Sequence, residues 1–271
     1  MLKTCNQAYK TSNGGHQRRN DEKVVERGLS PDARGNPMSA NPESSPFPNR
    51  STILAELCPP GVVAVELSGT ARASDLYPKE LDETMNFGEK RRDEFSAGRL
   101  CARRALAEFG IVNFPLQIND DRRPRWPEGM VGSISHTSDY CAALVARATD
   151  VSAIGFDVER TERVGEELWN ALFTAREREG LRTLSSARRA IDATVIFSAK
   201  EAFYKCHFAH SPSWLDFADV EIEILPGTDE SAGTFNIQPC SARVARAAYF
   251  GRFVIARGFA ATSVVVPTPA T

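Results

Sequence analysis

Asp157 and Glu159 stand two apart in the stretch GFDVER. On a strand that spacing turns both carboxylates to one side. Two like charges aimed at one spot repel unless a cation joins them. Hard carboxylate oxygens suit Mg²⁺, which takes a few protein carboxylates and fills its other positions with water and substrate phosphate. Taken alone, an Asp-x-Glu pair is more often a solvated strand face. A second cluster lies in FSAKEAFYK, where Glu201 and Lys205 are four apart. Alone, they read equally as a surface ion pair and as part of a site. Ser198 followed by Glu201 also fits a capping box that would begin a helix there. The unbroken apolar spacing through Ile191, Val195 and Ala199 favours one continuous helix. Phe197, Glu201 and Lys205 then share a face, and a third carboxylate with an ammonium is what a metal-bridged pyrophosphate needs.

Weaker signals accompany these. His136 falls at a strand end in SISHTSDY, where a lone histidine is more often structural. Arg123 sits in the proline-stiffened basic loop DDRRPRWP, which by itself is a charged loop that could meet a phosphate. Arg92, Arg99 and Arg103 recur along one helix face, whose bland reading is a solvated basic stripe. Cys206-His207 with His210 is set aside as ordinary helix surface and core.

The elements that must carry these residues can be read from periodicity. Residues 1 to 50 lack apolar periodicity and are rich in Asn, Ser, Gly, Pro and Arg, so a disordered extension is expected there. GVVAVELSG reads as a strand. FGEKRRDEFSAGRLCARRALAEFG reads as a helix, with Phe95, Leu100, Leu106 and Phe109 at helical spacing and Gly110 as the stop. VGSISHTSDYCAALVAR reads as strand, four-residue turn, strand, and SAIGFDVER as a further strand. A second long helix runs through ARRAIDATVIFSAKEAFYKCHFAH. The chain ends in a hairpin that turns at Arg257-Gly258. Each half has a long helix followed by strands, so the expected fold is α+β, two similar α/β halves in one chain. Their boundaries fall at 51–152 and 153–271, with the join near 148–156.

Composition excludes several classes. The formal net charge is −2, which gives no general electrostatic case for nucleic acid. No apolar run approaches the roughly 18 residues of a membrane helix, and the N-terminus has no secretory apolar core. Six cysteines (5, 58, 101, 141, 206 and 240) are scattered without a CxxC, which suits free thiols in a reducing cytoplasm.

In this order, RRPRWP, SISHT, IGFDVE and FSAKEAFYK resemble the signature series of the phosphopantetheinyl transferases of the surfactin-synthetase type. The enterobactin synthase component D subgroup is the nearest match, through the helix EFSAGRLCARRAL. FTAREREGL, at 173–181, fits another segment of that family. The resemblance covers about Tyr77 to Val266. It implies the pseudo-dimeric fold of that family, with the site at the interface of the halves. It further implies transfer of the phosphopantetheine arm of coenzyme A to a serine of an apo carrier protein. Asp157, Glu159 and Glu201 would bind Mg²⁺, and Lys205 the pyrophosphate, with Lys200 as helper. Ser135 and His136 would contact the 3′-phosphate side of coenzyme A, Arg123 and Pro124 the adenosine end, and Arg92 and Arg99 further phosphate oxygens. Phe197 takes a place where many members have Trp. Glu201, Lys205 and His136 would carry the chemistry. Siderophore or other secondary metabolism, a monomer and a cytoplasmic setting are expected. Against this stand a metal-dependent nucleotide pyrophosphohydrolase and a non-catalytic binding module.

Overall fold

The computed structural model describes residues 53–245 and 249–269. The expected disordered extension, 1–50, lies outside the described residues. The first strand, β1 (Val62–Ser68), leads through a short helix, α1 (Pro78–Asp82), to the long helix α2 (Glu89–Ala107). β2 (Met130–Thr137) and β3 (Tyr140–Arg147) follow, and these strands make one sheet in the order β1-β3-β2. The connection between β2 and β3 is tighter than the four-residue turn expected: only Ser138 and Asp139 lie outside the strands. Ala97, Cys101 and Ala102 of α2 are buried with Cys141 and Ala143 of β3. Gly110 closes the helix region with φ 79°, a conformation that glycine adopts without strain.

β4 (Val151–Arg160) begins three residues after β3 ends and opens a second sheet, ordered β4-β8-β7-β6-β5. Between β4 and β5 come two short helices, α3 (Trp169–Leu172) and α4 (Ala175–Arg182), and the long α5 (Ser186–His210). Helix α4 starts with a capping box: Thr174 accepts from the Glu177 N–H and Glu177 returns a bond to the Thr174 N–H. α5 is one continuous helix from Ser186, with Ser185 as its N-cap, so the Ser198/Glu201 start does not occur. Ser198 is instead buried and hydrogen-bonded to Thr262 at 2.9 Å. β5 (Val220–Pro226), β6 (Ala232–Pro239), β7 (Tyr249–Ala256) and β8 (Phe259–Pro267) complete the sheet as an antiparallel meander. The β7–β8 turn is at Arg257-Gly258, as the spacing predicts, with φ 53° and 78°.

The fold is mixed α and β, with two sheets that each carry a long helix. β2 and β4 meet directly, since the Phe156 N–H donates to Ser133 Oγ at 3.0 Å. α5 lies on β4 so closely that no side chain fits at Gly155: a Cβ there would collide with the Ala202 carbonyl oxygen. Gly155→Ala must therefore push α5 off the strand. It should lower the melting temperature by roughly 5–10 °C, the scale of an overpacked core in a domain of this size. An unchanged melting curve would show that α5 yields without cost.

Candidate functional site

Three elements bring ionisable side chains to one place. β2 supplies Ser135 and His136, β4 supplies Asp157 and Glu159, and α5 supplies Glu201 and Lys205. Asp157 and Glu159 share a strand face through the two-residue repeat, and Glu201 and Lys205 share a helix face four residues apart. Lys205 Nζ donates to Asp157 Oδ1 at 2.8 Å, to Ser135 Oγ at 3.1 Å and to the Phe156 carbonyl at 2.9 Å. Those are its three protons. Ser135 donates its own to the same Asp157 oxygen at 2.9 Å. Asp157 is buried, and its other oxygen, Oδ2, has no partner.

The electrostatics show too much negative charge for too few cations. Burial and the Asp157 charge push the Glu159 carboxyl up to about 8, although Arg163 lies 3.5 Å away and pulls it back. Burial and the same Asp157 charge push Glu201 up to about 7, against the pull of Lys205. Glu201 makes no hydrogen bond or ion pair with another described residue. His136 is held below its usual range, chiefly by burial. Its Nε2 lies 3.1 Å from Arg91 Nη1, and a guanidinium only donates, so Nε2 is the accepting nitrogen of a neutral ring. Glu94 stands 3.9 Å from the same nitrogen.

Among the described residues no three His, Cys, Asp or Glu side chains are gathered in the geometry of ion ligands. Lys205 closes on Asp157. The donor chemistry nevertheless fits a hard divalent cation. Three carboxylates lie within one another's field, one buried oxygen is orphaned, and burial with the Asp157 charge raises the Glu159 and Glu201 carboxyls.

The remaining expected residues fall elsewhere. Arg123 sits at the C-terminal end of α5, its guanidinium 5.1 Å from the Phe208 ring centroid and bonded to the Phe208 carbonyl at 3.3 Å. It also pairs with Asp121 at 2.7 Å, and Pro124 bridges to Ile118. Arg92 and Arg99 line the flank of α2 that faces α1. Arg92 donates to the Phe87 carbonyl at 3.2 Å, and Arg99 packs on the Phe95 ring at 4.0 Å. Burial brings Arg99 down to about 10, against the pull of Glu80 and Glu83. The Nε of each arginine is buried without a partner.

Lys200 does not join the site, which corrects the sequence expectation. Its Nζ is buried on another flank of α5, bonded to Glu177 at 2.7 Å and to the Leu172 and Phe217 carbonyls at 3.1 and 2.8 Å. Successive helix residues are turned by about 100°, so the neighbour of Glu201 must face elsewhere. Glu177 also accepts from the Ile222 N–H at 2.7 Å. The pair ties α4 and β5 to α5.

Residues that the sequence reading passed over complete the picture. Arg91 is the partner of His136. Tyr204, Phe208 and Trp214 pack as a chain of rings with centroids 5.8 to 6.2 Å apart beside Glu201, and Trp214 is 65% exposed. The Tyr204 hydroxyl is buried without a partner, and burial with the Glu201 charge pushes it up to about 12. Extending the Phe197, Glu201, Lys205 face by one turn would have found Tyr204 and Phe208. No spacing pointed to Trp214, which lies past the helix end.

Two family models match the chain: the 4′-phosphopantetheinyl transferase N-terminal domain over residues 82–146, and the 4′-phosphopantetheinyl transferase superfamily over 153–257. The 4′-phosphopantetheinyl transferase Npt of Nocardia iowensis is 33% identical over 221 residues, 78% of this chain and 99% of that protein. The 4′-phosphopantetheinyl transferase Svp of Streptomyces mobaraensis is 31% identical over 72% of this chain and 80% of its own length. Enterobactin synthase component D of Salmonella typhi is 36% identical over 48% of this chain and 54% of its own.

The placement of Lys200 is checked by stability. Lys200→Ala leaves a buried carboxylate without its cation, so it should destabilise the protein by about 3–5 kcal/mol in denaturant unfolding. A loss below about 0.5 kcal/mol, typical of an exposed charge, would contradict the buried pair.

Proposed function

The chain belongs to the 4′-phosphopantetheinyl transferase superfamily, and from that premise we propose that it moves the phosphopantetheine arm of coenzyme A onto a serine of an apo carrier protein, releasing 3′,5′-ADP. The observation that carries this reading is the convergence of Ser135, Asp157, Glu159, Glu201 and Lys205 from two strands and a distant helix. The enterobactin synthase relatives favour carriers of siderophore, other nonribosomal peptide or polyketide synthesis. We read the protein as a cytoplasmic monomer of two halves, 51–152 and 153–271, with the site between them. Motifs from both sides of that join contribute to one cluster.

Asp157, Glu159 and Glu201 are the residues that would hold Mg²⁺, which when bound neutralises pyrophosphate charge and polarises the phosphorus. The chain's own groups do the rest. Glu201 takes the proton of the carrier serine. The serine oxygen forms its bond to the β-phosphorus while the bond from that phosphorus to the bridging oxygen of 3′,5′-ADP breaks. Lys205 trades its contacts with Ser135 and Phe156 for the phosphate oxygens and offsets the charge that builds on the leaving group. His136, held by Arg91, and Ser135 are assigned to the 3′-phosphate side of coenzyme A by the family resemblance. Arg123 and Pro124 mark the adenosine end. Arg92 and Arg99 are assigned to further phosphate oxygens by the family resemblance.

Incubation with Mg²⁺, coenzyme A and an apo carrier should add the mass of one phosphopantetheine arm to the carrier. A carrier of unchanged mass with coenzyme A cleaved would favour the nucleotide pyrophosphohydrolase. Asp157→Ala should abolish transfer while leaving the fold intact, and full turnover in that variant would refute the assignment.

The metal site has its own pH signature. Glu159 and Glu201 ionise later in the fold than in an unfolded chain, where 4.5 is the ordinary value. The native state therefore binds more protons, and stability falls as pH rises from about 4.5 to about 8. A cation between them reverses that loss. Mg²⁺ should thus raise the melting temperature more at about pH 8.5 than at about pH 6. An equal rise at both, or none, would speak against these ligands.

A further inference from the structure

Glu159 stands next to the last residue of β4, and among the described residues it meets a cation only in Arg163, at 3.5 Å. Asp157, two residues earlier, is gripped by Lys205 and Ser135. Direct bonds therefore fix one carboxylate of the pair far better than the other. Alternation along the strand turns Arg160 to the face opposite Glu159, and that face carries the missing support.

β2 and β4 lie side by side, and their contacts advance in step. Ser133 meets the Phe156 N–H, Ser135 meets Asp157, and Asp139, just past β2, pairs with Arg160. Phe259 on β8 is the register partner of Arg160, as Ala260 is of Glu159. The Arg160 guanidinium lies 4.7 Å from the Phe259 ring centroid. The Tyr140 ring packs on that same ring, with centroids 4.9 Å apart and planes at 33°. Asp139 and Tyr140 are neighbours in the chain, so the ion pair and the ring stack close one loop. The Gly69 N–H, just past β1, pins that loop by donating to the Asp139 carbonyl at 2.8 Å.

Tyr140 is held more firmly than a packed ring requires. It is 2% exposed, and its hydroxyl donates to Glu66 of β1, which is 4% exposed. Glu66 lies opposite Ala142, so the two side chains are diagonal neighbours on one sheet face. No described cation pairs with Glu66. Burial and the bond to Glu66 push the Tyr140 hydroxyl well above its usual range, so it stays a donor. Turning the ring would strand a buried carboxylate. On its other side Tyr140 pairs with Thr137, and His136 faces Cys141 one step along. One ring thus joins the hairpin that carries His136 to the strands that carry Glu159.

We propose that Tyr140 is a positioning residue for the metal end of the site: its stack on Phe259, closed by the Asp139–Arg160 pair, sets where Glu159 stands relative to Asp157 and His136. This rests on the transfer reading, in which Glu159 helps to hold Mg²⁺. Tyr140 acts through the end of β4 and takes no part in the chemistry itself.

Mg²⁺ titration of the full chain without coenzyme A, read as the rise in melting temperature, gives a dissociation constant that needs no transfer. Tyr140→Leu removes the ring and should raise that constant about fivefold or more. Tyr140→Phe keeps the stack but leaves Glu66 without its donor. It should melt at a lower temperature without Mg²⁺, with the constant within about twofold of wild type. Arg160→Ala changes a half-exposed side chain, so it folds even where Tyr140→Leu does not. By charge alone, losing a cation beside Glu159 would tighten Mg²⁺. A loosened strand end should instead weaken it about twofold or more. In transfer, Tyr140→Leu and Arg160→Ala should need more Mg²⁺ for half-maximal rate, with kcat at saturating Mg²⁺ within about threefold of wild type. Weakened Mg²⁺ binding upholds the role even where no carrier gains mass, so the two readings fail separately. Wild-type Mg²⁺ affinity in folded Tyr140→Leu, unchanged or tighter affinity in Arg160→Ala, or a loss as large in Tyr140→Phe as in Tyr140→Leu would overturn the proposal.

Discussion

The chemistry of this molecule depends on how closely α5 lies against β4. At Gly155 the strand has no side chain, and the helix backbone at Ala202 and Cys206 occupies that space. Only at that distance can Lys205 reach Asp157 Oδ1 and the Phe156 carbonyl together. The same approach places Glu201 within the field of Asp157, and Ser198 against Thr262 on β8. A helix held one side chain further out would leave two separate charged patches. A missing methyl group thus sets the reach of every functional side chain on the helix.

The approach also concentrates like charge. Three carboxylates and one ammonium converge where burial removes water, and burial with the Asp157 charge raises the Glu159 and Glu201 carboxyls above their ordinary range. Such a cluster weakens the fold unless something positive arrives, because ionising it costs more than ionising the same groups in water. The site is prepared for positive charge. Lys205 serves as the resident cation of the cluster.

The parts of this architecture with strong local periodicity were legible in the sequence. Both long helices follow their apolar spacing, and the final hairpin follows Arg257-Gly258, because each is decided by neighbours in the chain. β5 and β6 were not individually foreseen. VEIEILP does alternate Val220, Ile222 and Ile224 with polar residues, a strand pattern left unread, whereas AGTFNIQP has only Thr234 and Ile237 as β-branched residues and becomes a strand by pairing with β5 and β7. In the site, the pairs at strand and helix spacing were readable, since geometry fixes their common face. Lys200 was carried over from the family resemblance, and the turn of the helix sets it on another flank, against Glu177. Arg91 and Trp214 depend on contacts from other elements, which no local pattern encodes.

The buried Lys200–Glu177 pair has a consequence for how this sequence can vary. Both side chains are 1% exposed, and each satisfies backbone groups as well as the other. Losing either alone strands a charge in a dry interior, whereas exchanging both for apolar residues of like volume can be nearly neutral. Variation at these two positions is therefore forced to proceed in step. A lineage in which one had drifted would be expected to carry its compensation at the other, 23 positions away along the chain.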